Sequence, residues 1–343
     1  MDLFGDLPAP SEYQASLDEA SAGNIEYRAG TSYKRKAEVD YEQAAKKSAQ
    51  ATAFELRSFV RDRKGEREDM QDAHTICENL HEEIKNLDSS VIRLHFYGVF
   101  DGHGGARASK FVADHLHHNI ALKFPKGDVK AIEKEIKKSF IDAFKKTDDD
   151  FLREATKFKP TWKDGTTVVG MFVINDIMYI LNLGDSKAVL ARINDKTQSA
   201  VAMPLTNDHT PTQYEERMRI QKSGGQVREG RVHGVLEVSR SIGDGQFKSH
   251  GVSCVPDIRR CQLTLKDKFV ILACDGLWKV FSPHEVVSFV LDVLIRSKVP
   301  ATDTKTEEDA RFEAACTRLT NEAIRRGSDD NITVLIVSIN RVL

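Results

Sequence analysis

The stretch Val168-Val169-Gly170-Met171-Phe172-Val173-Ile174-Asn175-Asp176-Ile177-Met178-Tyr179-Ile180-Leu181-Asn182-Leu183 decides the fold class. Two apolar runs flank Asn175-Asp176, a pair that tolerates left-handed backbone and closes a tight hairpin. Strands joined this way are antiparallel, whereas parallel neighbours need a long crossover. Gly184-Asp185 then turns the chain into a third strand, Ala188–Ile193.

Toward the N-terminus, Leu94–Phe100 reads as a strand that stops at Asp101. Ala108, Phe111, Val112, Leu116 and Ile120 follow at helical spacing. A second helix starts at Asp128, a suitable N-cap, and carries Val129, Ile132, Ile136, Phe140 and Phe144. Toward the C-terminus, Pro211–Ser223 predicts a helix stopped by Gly224-Gly225, and Phe269–Cys274 a buried strand ending at Asp275. Helices over Pro283–Arg296 and Thr306–Arg326 precede a last core strand, Ile332–Ile339. Hairpin-linked strands with helices in separate groups predict an α+β fold with largely antiparallel sheets.

Between Asp18 and Ala53 the only aliphatic residues larger than Ala are Ile25 and Val39. Too little apolar surface is available there to offset the entropy of ordering, so residues 1–55 are expected to form a disordered tail ahead of a folded domain over 56–343. A formal net charge of −2 gives no reason to expect nucleic acid or a membrane as partner. No apolar run is long enough to cross a bilayer, and Met1–Pro8 is acidic where a secretory signal would be basic. Five cysteines without a CxxC spacing suit a reducing compartment. The expected location is the cytoplasm. Lys34-Arg35-Lys36 in the tail reads either as a nuclear import signal or as an ordinary solvated basic stretch.

Chemistry concentrates in short aspartate turns: Asp101-Gly102-His103-Gly104-Gly105, Gly184-Asp185-Ser186, Cys274-Asp275-Gly276 and Asp329-Asp330-Asn331. Taken singly, each is an Asx-turn or a helix cap. Three of the four close an apolar β-like run, and carboxylates delivered together from strand ends make an oxygen nest suited to hard divalent cations. Gathering several acids without cations is costly, because like charges suppress one another's ionisation. In that reading Asp101 bridges the metal, the glycines let backbone approach it, and His103 stands beside it as a proton donor. Arg67, in a run of charges, is either a grip for an anionic group or a surface residue.

Other signatures are absent or fail. No P-loop, GxGxxG, HExxH or paired-cysteine zinc pattern occurs. Cys254 to Arg260 has the spacing of a cysteine-phosphatase loop, but Pro256 lacks an N–H for the phosphate and Asp257 would repel it. The histidines at 115, 117 and 118 are expected to be solvated on a helix surface. Trp162 and Trp278 are expected to pack against the core.

Ordered along the chain stand Arg67 with Gln71-Asp72-Ala73-His74, Asp101–Gly105, Asp164-Gly165-Thr166-Thr167, Gly184-Asp185-Ser186 and Asp208-His209-Thr210-Pro211. Ser239-Arg240-Ser241-Ile242-Gly243-Asp244, Asp275-Gly276-Leu277-Trp278 and Asp330-Asn331 continue the series. Together these motifs resemble the metal-dependent type 2C serine/threonine protein phosphatases, over about Phe54 to Val342. The resemblance implies a central sandwich of two antiparallel β-sheets flanked by helices, with two Mg²⁺ or Mn²⁺ ions at one end. It implies that Asp101 bridges both ions, that the Gly102 carbonyl adds a ligand, and that Asp275 and Asp330 complete the shell of the first ion. By the same implication Asp72 orients bound water, Arg67 holds the phosphate and His103 protonates the departing Ser or Thr oxygen.

The implied reaction is hydrolysis of phosphoserine and phosphothreonine in proteins. Hydroxide activated by the ion pair attacks in line, without a phosphoenzyme. The substrates are phosphorylated proteins, a kinase-signalling complex is an expected partner, and a monomer is expected. Two departures stand out. Many members of the family carry Glu where this chain has Gln71, a ligand of the second ion, so that ion is expected to bind weakly. Many place an acid where this chain has Lys279, which puts a third ion on Asp185 in doubt. The competing expectations are a weakly active phosphatase-like scaffold that works by binding partners and, more distantly, a cysteine phosphatase acting through Cys254.

Overall fold

The computed structural model describes residues 54–297 and 305–342. The expected tail therefore lies outside the described residues up to position 53, and Phe54 already opens the first strand. In chain order the elements are β1 (Phe54–Arg63), β2 (Ala73–Cys77), β3 (Leu94–Phe100), β4 (Gly102–His103), α1 (Arg107–Leu122) and α2 (Val129–Ala155). Then come β5 (Gly165–Thr166), β6 (Val168–Ile174), β7 (Ile177–Leu183), β8 (Lys187–Ile193), β9 (Ala200–Pro204) and α3 (Tyr214–Lys222). The last third holds β10 (Val227–Arg228), β11 (Arg231–Val232), β12 (Ile242–Gly243), β13 (Asp257–Gln262), β14 (Asp267–Ala273), α4 (Pro283–Arg296), α5 (Glu307–Arg325) and β15 (Ile332–Arg341).

Two five-stranded sheets, ordered β1-β15-β14-β8-β9 and β13-β7-β6-β3-β2, form the centre, and every pairing within them is antiparallel. The hairpin runs from Val168 opposite Leu183 to Ile174 opposite Ile177, with Asn175 at φ 52°. Between the sheets lie Tyr97, Val99 and Met171 from one side and Val270, Leu272 and Leu335 from the other. Alternate residues face outward under helices: Phe96 and Phe172 under α1 and α2, and Phe269, Ile271 and Ile336 under α4 and α5. Burial on both faces explains why the strands read as continuous apolar runs. The fold is α+β, as the sequence pattern predicts, and it is the antiparallel sandwich flanked by helices that the family resemblance implies. Among the described residues no helix is long and apolar enough to cross a membrane.

Helix starts follow local capping. Asp128 accepts from the Ala131 N–H at 2.8 Å, and Ser282–Glu285 and Thr306–Asp309 form reciprocal capping boxes. The helix expected over Pro211–Ser223 instead spans Tyr214–Lys222, because Gln213 is extended and the residues before it form a turn. His115 and His118 are exposed on α1, as expected. His117 is half-buried, a correction caused by its ring stacking on Phe96 at 6.4 Å. Trp278 is buried and donates its indole N–H to the Ala273 carbonyl at 2.8 Å, while Trp162 packs against the core from a half-buried position.

Pairing direction carries the aspartates to one end. β3 and β7 are both antiparallel to β6, so they finish at the same edge. In the other sheet Ala273 at the end of β14 lies opposite Val334 near the start of β15. Arg63, ending β1, lies opposite Ile332, and Ala73, starting β2, lies opposite Phe100. The loop 64–72 therefore crosses from one sheet to the other over that same end.

Candidate active site

Asp101 follows β3, Asp185 follows β7, Asp275 follows β14 and Asp330 precedes β15. Carboxylate oxygens of Asp101, Asp185 and Asp275 all lie within 4.8 Å of one another, and those of Asp72 and Asp101 lie equally close to the Cys274 sulfur. Asp185, expected only as a doubtful ligand of a third ion, thus sits within a close group of three acids. Asp330 joins through Lys279, whose ammonium lies 2.7 Å from Asp275 Oδ2 and 2.9 Å from Asp330 Oδ2. Arg67 reaches the same Asp330 oxygen at 3.0 Å and stays 55% exposed.

The electrostatics record the crowding. Burial, then the neighbouring charges of Asp72, Asp275, Asp185 and Asp330, push the Asp101 carboxyl well above the usual range. Asp72 rises to about 7, chiefly by burial; hydrogen bonds from Thr333 (2.7 Å to Oδ2) and Cys274 oppose the rise, while Asp275 and Asp330 add to it. Asp185 also rises to about 7, through burial and the charges of Asp275 and Asp208. Lys279 is held charged well above its ordinary range, because these carboxylates outweigh its burial. An all-oxygen set of mutually repelling acids, already drawing in an ammonium, fits a hard divalent cation.

The loop 64–72 is pinned by Asn331. Its amide oxygen accepts from the Gln71 N–H at 2.8 Å, and its Nδ2 donates to the carbonyls of Lys64 (2.7 Å) and Asp69 (3.1 Å). Ser109 donates to the Gln71 carbonyl from α1. A Cβ on Gly102 would stand 2.2 Å from that carbonyl, so only glycine lets the turn after β3 lie against Gln71.

His103 faces Asp244, with Nε2 2.6 Å from Oδ2. Burial disfavours the imidazolium, but Asp244 overrides it and the His103 pKa rises. Ser241 donates to the same Asp244 oxygen at 2.6 Å. Gly165 makes the room, since a Cβ there would lie 2.1 Å from Asp244 Oδ2 and 2.3 Å from His103 Nε2. Asp164 is tied to Arg107, accepting from its Nε at 2.9 Å, and its carbonyl accepts from the Asp244 N–H at 2.9 Å. His209 accepts from the Gly184 N–H at 3.1 Å and so braces the Asp185 turn. Asp244, Asn331, Ser109, Thr333 and His209 are supports to which sequence reading assigned no role. Three of them lie within the quoted motifs, which was the available signal. Cys254 is unsuited to nucleophilic attack: burial and Asp148 push its thiol up to about 11.

Comparison with known proteins follows this geometry. The protein phosphatase 2C family profile matches residues 56–332. The integrin-linked kinase-associated serine/threonine phosphatase 2C of Homo sapiens is 55% identical over 291 residues, covering 85% of this chain and 74% of that protein. Its Bos taurus counterpart is 50% identical over 345 residues, covering 98% and 93%. A probable protein phosphatase 2C of Arabidopsis thaliana is 34% identical over 352 residues, covering 98% and 93%. Among solved structures, a serine-threonine phosphatase 2C from Toxoplasma gondii has the same fold, with TM-score 0.66 and 22% identity, covering 83% of this chain and 95% of that one.

Proposed function

This chain belongs to the protein phosphatase 2C family and is a protein serine/threonine phosphatase, and we propose that it works through two Mg²⁺ or Mn²⁺ ions held in the acidic nest. Asp101, Asp275 and Asp330 with the Gly102 carbonyl would hold one side of the pair, and Gln71 and Asp72 the other, with Asp185 close enough to contribute. When bound, such ions supply an activated water and neutralise the phosphoryl oxygens, so transfer goes directly to water without a phosphoenzyme. The observation that carries the reading is the meeting of acids from four strand ends beside Arg67 and the His103–Asp244 pair.

The remaining steps belong to side chains. Arg67, at the solvent edge of the nest, offers its fork to the incoming phosphate. The substrate is an ester whose Ser or Thr alkoxide leaves poorly, so a proton must reach the departing oxygen. His103 delivers it, oriented by Asp244, which favours its protonated form. Similarity to relatives named for integrin-linked kinase supports phosphoproteins of a kinase-signalling complex as substrates and partners.

Phosphopeptide hydrolysis tests the reading. EDTA is expected to abolish turnover, Mn²⁺ to restore it, and Asp101→Ala to remove it, whereas Cys254→Ser leaves it intact. Activity that survives EDTA would overturn the metal mechanism. A second reading, the phosphatase-like scaffold, draws on Gln71 and on the hold of Lys279 over Asp275 and Asp330. It requires the biological effect to persist in Asp101→Ala.

A further inference from the structure

Outside the acidic nest, one further group of metal-type donors occurs among the described residues: Glu83, His117 and His118, whose ligand atoms lie within 4.8 Å of one another. The two histidines sit on the second half of α1, ten and eleven residues beyond Arg107, so about 15 Å along the helix from the end that faces the nest. Glu83 ends a short 3₁₀ turn, Leu80–Glu83, which is anchored by the fully buried Leu80. Leu80, Phe96 and Leu116 share one core cluster, so the donors are mounted on packed elements.

The local contacts gather the three donors around one point of the surface. His118 Nδ1 lies 2.6 Å from Glu83 Oε2, and the two imidazoles lie 3.9 Å apart between centroids. The His117 ring is stacked on Phe96, and its Nδ1 is buried without a hydrogen-bond partner. A buried, unpaired imidazole nitrogen is an unfavourable state that nearby water or an ion normally relieves. Burial and the neighbouring His118 lower the His117 pKa.

We propose that Glu83, His117 and His118 form a second cation site, for a borderline divalent ion of the Zn²⁺ class, that staples the 3₁₀ turn to α1. Two imidazoles with one carboxylate suit Zn²⁺ and differ in kind from the all-oxygen nest that suits Mg²⁺ or Mn²⁺. Tetrahedral ligands on Zn²⁺ stand about 3.3 Å apart, against donor separations here that are all within 4.8 Å. His118 and Glu83 are exposed, which leaves the fourth position to water.

The test uses the full chain, stripped with EDTA and returned to excess Mg²⁺ so that the oxygen nest is filled. Zn²⁺ is then titrated calorimetrically, with Co²⁺ absorption reporting imidazole ligation. One equivalent is expected to bind in the native chain and in Asp101→Asn, and to raise Tm. Its affinity is expected to fall at least about tenfold in His117→Ala, His118→Ala and Glu83→Gln, but not in His115→Ala on the same helix. Circular dichroism of every variant, and Mg²⁺-supported phosphatase activity of the Glu83 and histidine variants, serve as the folding control. The proposal is overturned by absence of the extra equivalent, by its loss in Asp101→Asn, or by its survival in either histidine variant.

Discussion

Lys279 ties up Asp275 and Asp330 at 2.7 and 2.9 Å, so an incoming cation has to displace an ammonium before it gains those carboxylates. Gln71 lends an amide where an acid would lend a charge. Lys279→Met and Gln71→Glu are each expected to tighten Mn²⁺ binding about tenfold or more by calorimetry, and unchanged affinity in both refutes this account. His103 poses a different question. Asp244 raises its pKa, so the protonated form persists to higher pH. In Asp244→Asn the alkaline fall of kcat should move to lower pH, with kcat itself down by roughly 10-fold to 100-fold. A merely structural role would lower activity without moving that limb. The aspartate could be seen within its motif, but its partner is 141 positions away, and nothing local in a sequence encodes that encounter.

Segments whose periodicity comes from burial on one or both faces were readable. β3, β6, β7 and α4 begin and end where the apolar runs and caps indicate. β13 was not readable. Asp257–Gln262 carries two arginines and an aspartate, and it is a strand because it hydrogen-bonds to β7 at the sheet edge, where charge protects against further pairing. β1, with five charged residues, is likewise held by its ladder to β15. Local capping makes its own testable claim. Ser282→Ala breaks the reciprocal box at the start of α4, and the expected cost is about 1 kcal/mol, seen as a Tm lower by a few degrees. Phosphatase activity at ambient temperature should be unaffected, since α4 lies under the sheet and outside the nest.

The assembled sandwich stores like charge at one end, and this makes stability depend on metal and pH together. In chelated protein Asp72 and Asp185 titrate near 7 instead of the ordinary carboxylate range, so the folded state takes up protons that the unfolded chain binds only in stronger acid. Their contribution to stability is complete below about pH 4 and is lost as pH rises through about 7. Acidification from neutrality toward pH 5 should therefore raise the Tm of the metal-free protein, and less so in Asp72→Asn. With Mn²⁺ bound the trend should reverse, because protons then compete with the ion. Calorimetric scans across that range check both signs. The kinds of element, the antiparallel hairpin and the chemistry of each turn follow from the chain alone, because burial periodicity and turn conformation are local. The meeting of Asp101, Asp185 and Asp275, the approach of Asp330 through Lys279, and the His103–Asp244 pair depend on strand register and sheet stacking, which bring together residues far apart in sequence.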